Sequence, residues 1–217
     1  MARRMRRLTV ERVGDLPEPC SSCALWETGG HGAPVCEPAH ARRELEQWVE
    51  GVRAQWGECG KVAYENKEPL GFVKYAPGRF FPQVVSMPSG PPDNDAVLIA
   101  CIHVTPEAAD AGLGKVLLQA ALRDLVSRGE KAVEAYGSSQ QVDRDRSPLM
   151  SVEFLLRQGF SVARPHPVYP LMRLELKALV TWTESVEAVL DALQIPLRRE
   201  RVPTPLVNPS RSEGNSR

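Results

Sequence analysis

The 217-residue chain balances 27 Lys+Arg against 27 Asp+Glu, with 42% hydrophobic and 25% charged residues. That mix suits one globular core, and zero net charge argues against a protein that coats nucleic acid or an anionic membrane. The balance is a sum of unequal parts: the first twelve residues carry +4 and the last twenty +3, so residues 13–197 carry −7. The longest apolar run, 96–102, is too short to span a bilayer, and no apolar stretch follows the Arg-rich start as in a signal peptide. Five cysteines in a chain of this length do not make a secreted disulfide scaffold, so a reduced, cytoplasmic protein is expected.

In chain order, residues 6–13 alternate β-branched and polar positions and predict a first strand. A Pro-, Gly-, Cys- and His-rich loop covers 14–40. From Ala41 onward, Leu45, Trp48, Val49, Val52 and Trp56 fall on one helical face, with Trp48 and Trp56 expected as core residues. Strands at 61–65 and 70–75 form a hairpin around Asn66-Lys67-Glu68-Pro69, and residues 76–95, with five prolines, form a long surface loop. Residues 96–104 are apolar enough for a central strand. A helix over 113–128 follows, with Leu117, Leu118, Ala121, Leu122 and Leu125 inward and Gly129 as its stop. A strand at 131–136 leads through a polar loop to a helix capped by Ser147-Pro148 and ended by Gly159. Strands at 160–164 and 169–177 come next. Thr181-Trp-Thr-Glu184 is a capping box opening a last helix, followed by a tail from 198 expected to be disordered.

The informative segment is the turn between the central strand and its helix, Thr105 to Lys115, which carries Gly112-Leu-Gly114-Lys115. Glycines at a helix start let a ligand approach the exposed N–H groups and the positive end of the helix dipole, a natural phosphate site. The bland alternative is a turn that needs a positive φ. A Walker loop requires Ser or Thr after the Lys, and Val116 stands there. A dinucleotide fold requires a third small residue where Leu117 stands, and repeated βαβ units that this chain lacks.

The order of elements over residues 6–177, Val104-Thr-Pro-Glu107 with Gly112-Leu-Gly114, and Phe154-Leu-Leu-Arg-Gln-Gly159-Phe160 together resemble the GNAT acyltransferase superfamily. The resemblance implies an α/β (α+β) fold with a mixed, mostly antiparallel central sheet flanked by helices. It sets a domain over 1–178, with a C-terminal helix at 179–197 packed on it. It also implies acetyl-coenzyme A as cosubstrate, its diphosphate held around Ala111, Gly112, Leu113, Gly114 and Lys115. The backbone of Ile102, His103 and Val104 would pair with the pantetheine arm where two central strands splay apart. Ala109 stands where the family usually has Gln or Arg three residues before the first Gly.

Acetyl transfer to an amine needs a neutral amine, stabilisation of the oxyanion and a proton for the departing thiolate. At the positions where the family often carries a Glu base and a Tyr acid, this chain has Leu98 and Leu155. Glu134 and Tyr136, two apart on one strand and so on one face, are the candidate substitutes, against ordinary sheet packing and a solvated edge. His103 has a suitable pKa for a base, but alternation allows it to face the opposite side from the thioester. His166, between Pro165 and Pro167, is read as shaping a turn. Cys20-Ser-Ser-Cys23, with His31, Cys36, His40 and Cys59, has zinc-compatible spacing but completes no known pattern, so reduced thiols and no metal are expected. Trp26 and Glu27 are expected at the acceptor pocket. The function anticipated is an N-acetyltransferase acting on a primary amine of a small molecule or protein, with no nucleic-acid or membrane partner; a homodimer is compatible with it. The rivals are a degenerate coenzyme A sensor and a zinc-stabilised partner-binding domain.

Overall fold

A computed structural model describes residues 3–28, 37–140 and 149–177. The expected Ser147-Pro148 cap, the terminal helix and the tail lie outside them. The chain parts into one unit through Thr181 and a second from Trp182.

Among the described residues, the first unit is built on one sheet of eight strands in the order β1-β2-β3-β4-β5-β8-β7, with β6 joined to β5. The strands are β1 Arg3–Arg7, β2 Gly60–Glu65, β3 Glu68–Pro77, β4 Ala96–Val104, β5 Ala132–Ser138, β6 Met150–Ser151, β7 Ser161–Arg164 and β8 Leu171–Glu175. Pairing is antiparallel except β4 with β5 and β5 with β6. The helices are α1 Leu25–Thr28, α2 Pro38–Gln55, α3 Pro106–Ala109, α4 Leu113–Ser127 and α5 Val152–Arg157.

Two apolar layers sandwich the sheet. On one face the predicted stripe of α4, Leu117, Leu118, Ala121, Leu122 and Leu125, meets Val97, Ile99 and Val133, and Leu155 of α5 joins it. On the other, Leu45, Val49 and Val52 of α2 and Trp26 of α1 cover Val62, Phe72 and Leu98. Trp48 and Trp56 are half-buried at the edges of these layers; Arg128 lies over the Trp56 ring at 3.7 Å.

Three elements differ from the reading of the sequence. Segment 6–13 splits: the strand is Arg3–Arg7, paired to β2, and Val10–Asp15 is a 3-10 turn that buries Val13. The strand is an edge with four arginines in five residues, so hydrophobic alternation does not mark it. The supposed loop 14–40 contains α1 and the first turn of α2, entered through Pro38 at a helix start, where a missing N–H costs nothing. Loop 76–95 is tied to the core through two 3-10 turns, Gly78–Phe80 and Pro82–Ser86, with Phe81 and Val84 buried. Phe81 sits 5.0 Å from Trp48 and 6.2 Å from Trp26, ring centre to ring centre. The short helix α5 is capped by Ser151, whose hydroxyl accepts from the Phe154 N–H at 3.1 Å.

Candidate active site

Strands β4 and β5 pair through only three positions, Ala96↔Ala132, Val97↔Val133 and Leu98↔Glu134. Beyond Leu98 they part. The register of β3 against β4 slips between Lys74 and Tyr75, which pair with Cys101 and Ile99, so Ala100 is an extra residue, a bulge that bends β4 away. β5 instead takes β6 along the edge that β4 has left. Among the described residues, no strand covers the edge of β4 toward β5 over residues 99–104, so its peptide groups are available to an extended ligand. Ile102 and Val104 turn their side chains to the α4 layer. His103 lies opposite Phe72, with ring centres 6.3 Å apart, on the α2 face.

The open strand leads into the start of α4. Gly112 is the N-cap with φ +73°, a left-handed conformation that explains one glycine. Gly114 has no such reason. Among the described residues, a Cβ built on either glycine meets nothing within 4 Å, so neither is there to make room for them. What the bare Gly114 leaves open is the approach to the N–H groups of Leu113 and Gly114, which precede the first bonds of the helix, from Lys115 and Val116 to the Gly112 carbonyl. Leu113 is buried and anchors the turn, while Ala111 and Lys115 are exposed. No carboxylate lies in the first turn. This donor set fits a diphosphate: backbone N–H groups, a helix dipole and one Lys ammonium.

Glu134 and Tyr136 do share a face of β5, and both are fully buried. Each has a structural partner. Glu134 accepts the Asp93 N–H on Oε2 at 2.8 Å and the Arg173 guanidinium on Oε1 at 3.1 Å. Burial raises its carboxyl pKa, with the Asp93 N–H and Arg173 opposing the rise. The Tyr136 hydroxyl donates to the Gly90 carbonyl at 2.7 Å, its ring stacks on Trp26 at 5.7 Å, and burial pushes its pKa up. His166 shapes a turn, its Nδ1 accepting from the N–H groups of Val168 and Tyr169. Among the described residues, no three His, Cys, Asp or Glu side chains are placed to hold a metal ion; His31 and Cys36 lie outside them.

Residues 23–160 match the Acetyltransferase (GNAT) family. The chain belongs to the GNAT acetyltransferase family. Its fold is likewise that of solved acetyltransferases. The PaiA N-acetyltransferase from Thermoplasma acidophilum, in complex with coenzyme A, is 16% identical with a TM-score of 0.53, over 81% of this chain and 99% of that one. An N-acetyltransferase from Staphylococcus aureus Mu50 gives 16% and 0.56 over 81% and 99%. YncA from Salmonella typhimurium, solved with acetyl-CoA, gives 17% and 0.55 over 81% and 95%. No curated protein matches the chain in sequence.

Within this GNAT domain the structure brings together residues that spacing did not link. Lys74 of β3 and Glu27 of α1 form an ion pair with both side chains almost wholly inside the protein. Burial works against the Lys74 charge, and the Glu27 carboxylate more than restores it, so the ammonium is held above its usual pKa. Among the described residues, the other Glu27 oxygen, Oε2, has no hydrogen-bond partner, nor has the indole N–H of Trp26. Cys23 and Cys101 are near enough to act on the Lys74 charge. Burial pushes the Cys101 thiol up to about 12 and the Cys20 thiol higher, so these sulfurs are protonated and unreactive near neutral pH. The signal in the sequence was a single Lys in the apolar run Gly71-Phe-Val-Lys74-Tyr-Ala76.

Proposed function

We propose that this protein transfers an acetyl group from acetyl-coenzyme A to a primary amine. The observation that carries the reading is the opening of β4 from β5 after Leu98, continuous with an α4 start whose two glycines have no atom of a described residue within 4 Å of a Cβ built on them. The diphosphate sits at the 111–115 turn, on the N–H groups of Leu113 and Gly114 with the Lys115 ammonium alongside, and the pantetheine arm runs along the open edge of residues 102–104. The amine attacks the thioester carbon, the C–N bond forms as the C–S bond breaks, and the coenzyme A thiolate leaves and takes a proton. Peptide N–H groups on the open edge of β4 stabilise the oxyanion.

Of the three ionisable candidates, His103 is the one on the open stretch, and it takes the role of base for the attacking ammonium. Glu134 and Tyr136 act as positioning residues, tying β5 to the Asp93 and Gly90 backbone. The test is release of free thiol from acetyl-coenzyme A with a panel of primary amines, against a control without amine. Amine-dependent release in the wild type, lost at least about tenfold in kcat for His103→Gln with little change in KM, supports the assignment. No release with any amine, despite tight binding of acetyl-coenzyme A, supports the second reading, a coenzyme A sensor. That reading is favoured by one observation: Leu98 and Leu155 are buried and apolar, and both β5 candidates are already engaged.

A further inference from the structure

We propose that the cavity between β1 and the β2–β3 hairpin binds a small ligand carrying two or more phosphate groups. The cavity holds about 730 Å³ and is lined by Arg4, Arg6, Arg12, Lys67, Asn66 and Tyr64, with Asp15 as its one carboxylate. It shares no residue with the turn at the start of α4, and its size is that of a small-molecule site.

The pairing of charges along β1 singles out this face. Successive side chains alternate between the two sides of a strand. On the side of Met5, each arginine has an acid: Arg3 pairs with Glu65 at 3.3 Å and Arg7 with Glu58 at 3.0 Å. On the cavity side, the side chains of Arg4 and Arg6 make no ion pair or hydrogen bond with any described residue, and neither does that of Lys67. Among the described residues, the Arg12 guanidinium donates only to the Arg7 carbonyl and the Thr9 hydroxyl, at 3.3 and 3.2 Å. Asp15 is taken by the Tyr64 hydroxyl at 2.6 Å. Four cations thus converge from three elements on one concavity, opposed by a single carboxylate that is already hydrogen-bonded.

A charged edge strand discourages sheet-to-sheet association, but that purpose is served by cations on either face and requires no cavity. It also leaves Lys67 unexplained. Glu65 pairs with Glu68, so Asn66-Lys67 is a two-residue hairpin turn, with φ of +50° and +79°. The second position of such a turn favours Gly, and a Lys there carries backbone strain. A side chain retained at that cost brings an ammonium to the rim beside the guanidinium groups. Guanidinium forks bind phosphate oxygens in pairs, and several such groups in one hollow select a ligand with more than one phosphate.

The test is calorimetric titration of inorganic pyrophosphate into the full chain and, in parallel, into its Gly114→Val variant, which closes the α4 turn to phosphate. Saturable binding is expected, weakened at least about tenfold by Arg4→Gln with Arg6→Gln and weakened again by raised salt. Lys67→Gly should lower affinity while leaving the melting temperature unchanged or higher, because Gly suits the φ; a merely structural turn residue would not separate the two. No heat at millimolar pyrophosphate, or equal affinity in the Arg4/Arg6 double variant, overturns the proposal. So does binding of a single-stranded oligonucleotide that pyrophosphate fails to displace.

Discussion

At the residue scale the two glycines of the α4 turn do different jobs. Gly112 is required by its own backbone, at φ +73°, whereas Gly114 has ordinary helical geometry and open space around its missing Cβ. Gly114→Val should therefore leave thermal stability within about 0.5 kcal/mol, as for a helical site with room for the side chain, while reducing acetyl-coenzyme A affinity at least about tenfold by blocking the N–H groups. Calorimetry and a melting curve on the same sample check both halves. The turn was legible because its glycines and its helix are contiguous in the chain. The partners of Glu134 were not, since Asp93 lies 41 positions away in the proline-rich segment and Arg173 lies 39 away on β8.

Glu134 also makes a pH prediction. Burial raises its carboxyl pKa in the folded state above the ordinary 4.5, so folding favours the protonated form. Its contribution to stability is complete below the ordinary value and is lost as pH rises through the raised one. Urea unfolding from about pH 4 to about pH 7 should show the wild type losing stability relative to Glu134→Gln across that window. A difference that does not vary with pH would contradict the assignment.

At the scale of elements, α1 is fastened to the sheet by one buried charge pair and one aromatic stack. Lys74→Met leaves Glu27 with an uncompensated charge inside the protein and should cost about 3–5 kcal/mol. The double change Lys74→Met with Glu27→Leu should recover most of that loss, because two apolar side chains need no counter-charge; denaturant unfolding of the four species measures the coupling. Tyr136→Phe, by contrast, removes one hydrogen bond to Gly90 and should cost about 1 kcal/mol. Long, strongly periodic elements were readable from their own residues: β4 matches residue for residue, and α4 to within one. The elements that escaped are those fixed by distant contacts. β1 is a strand because β2 offers it a partner, not because its arginines prefer one. α1 is a single helical turn held in place by Tyr136 and Lys74.

At the scale of the whole molecule, the sheet order and the handing of β5 from β4 to β6 create the feature on which the function rests. Local patterning predicts each central strand. The length over which they pair depends on the bulge at Ala100 and on α5 closing over Gly137, where a Cβ would meet Val152 at 2.8 Å. Zero net charge likewise resolves into placement: an arginine-lined hollow at one edge of the sheet, and elsewhere a helix start that presents N–H groups and one Lys. Acetyl transfer requires that second site to receive the cosubstrate. Hydrogen exchange of the full chain with and without saturating acetyl-coenzyme A locates it. The prediction is slowed exchange in peptides covering Ile102–Val104 and Ala111–Lys115 and little change along β1. Protection confined to other segments, or none at saturating ligand, would contradict it.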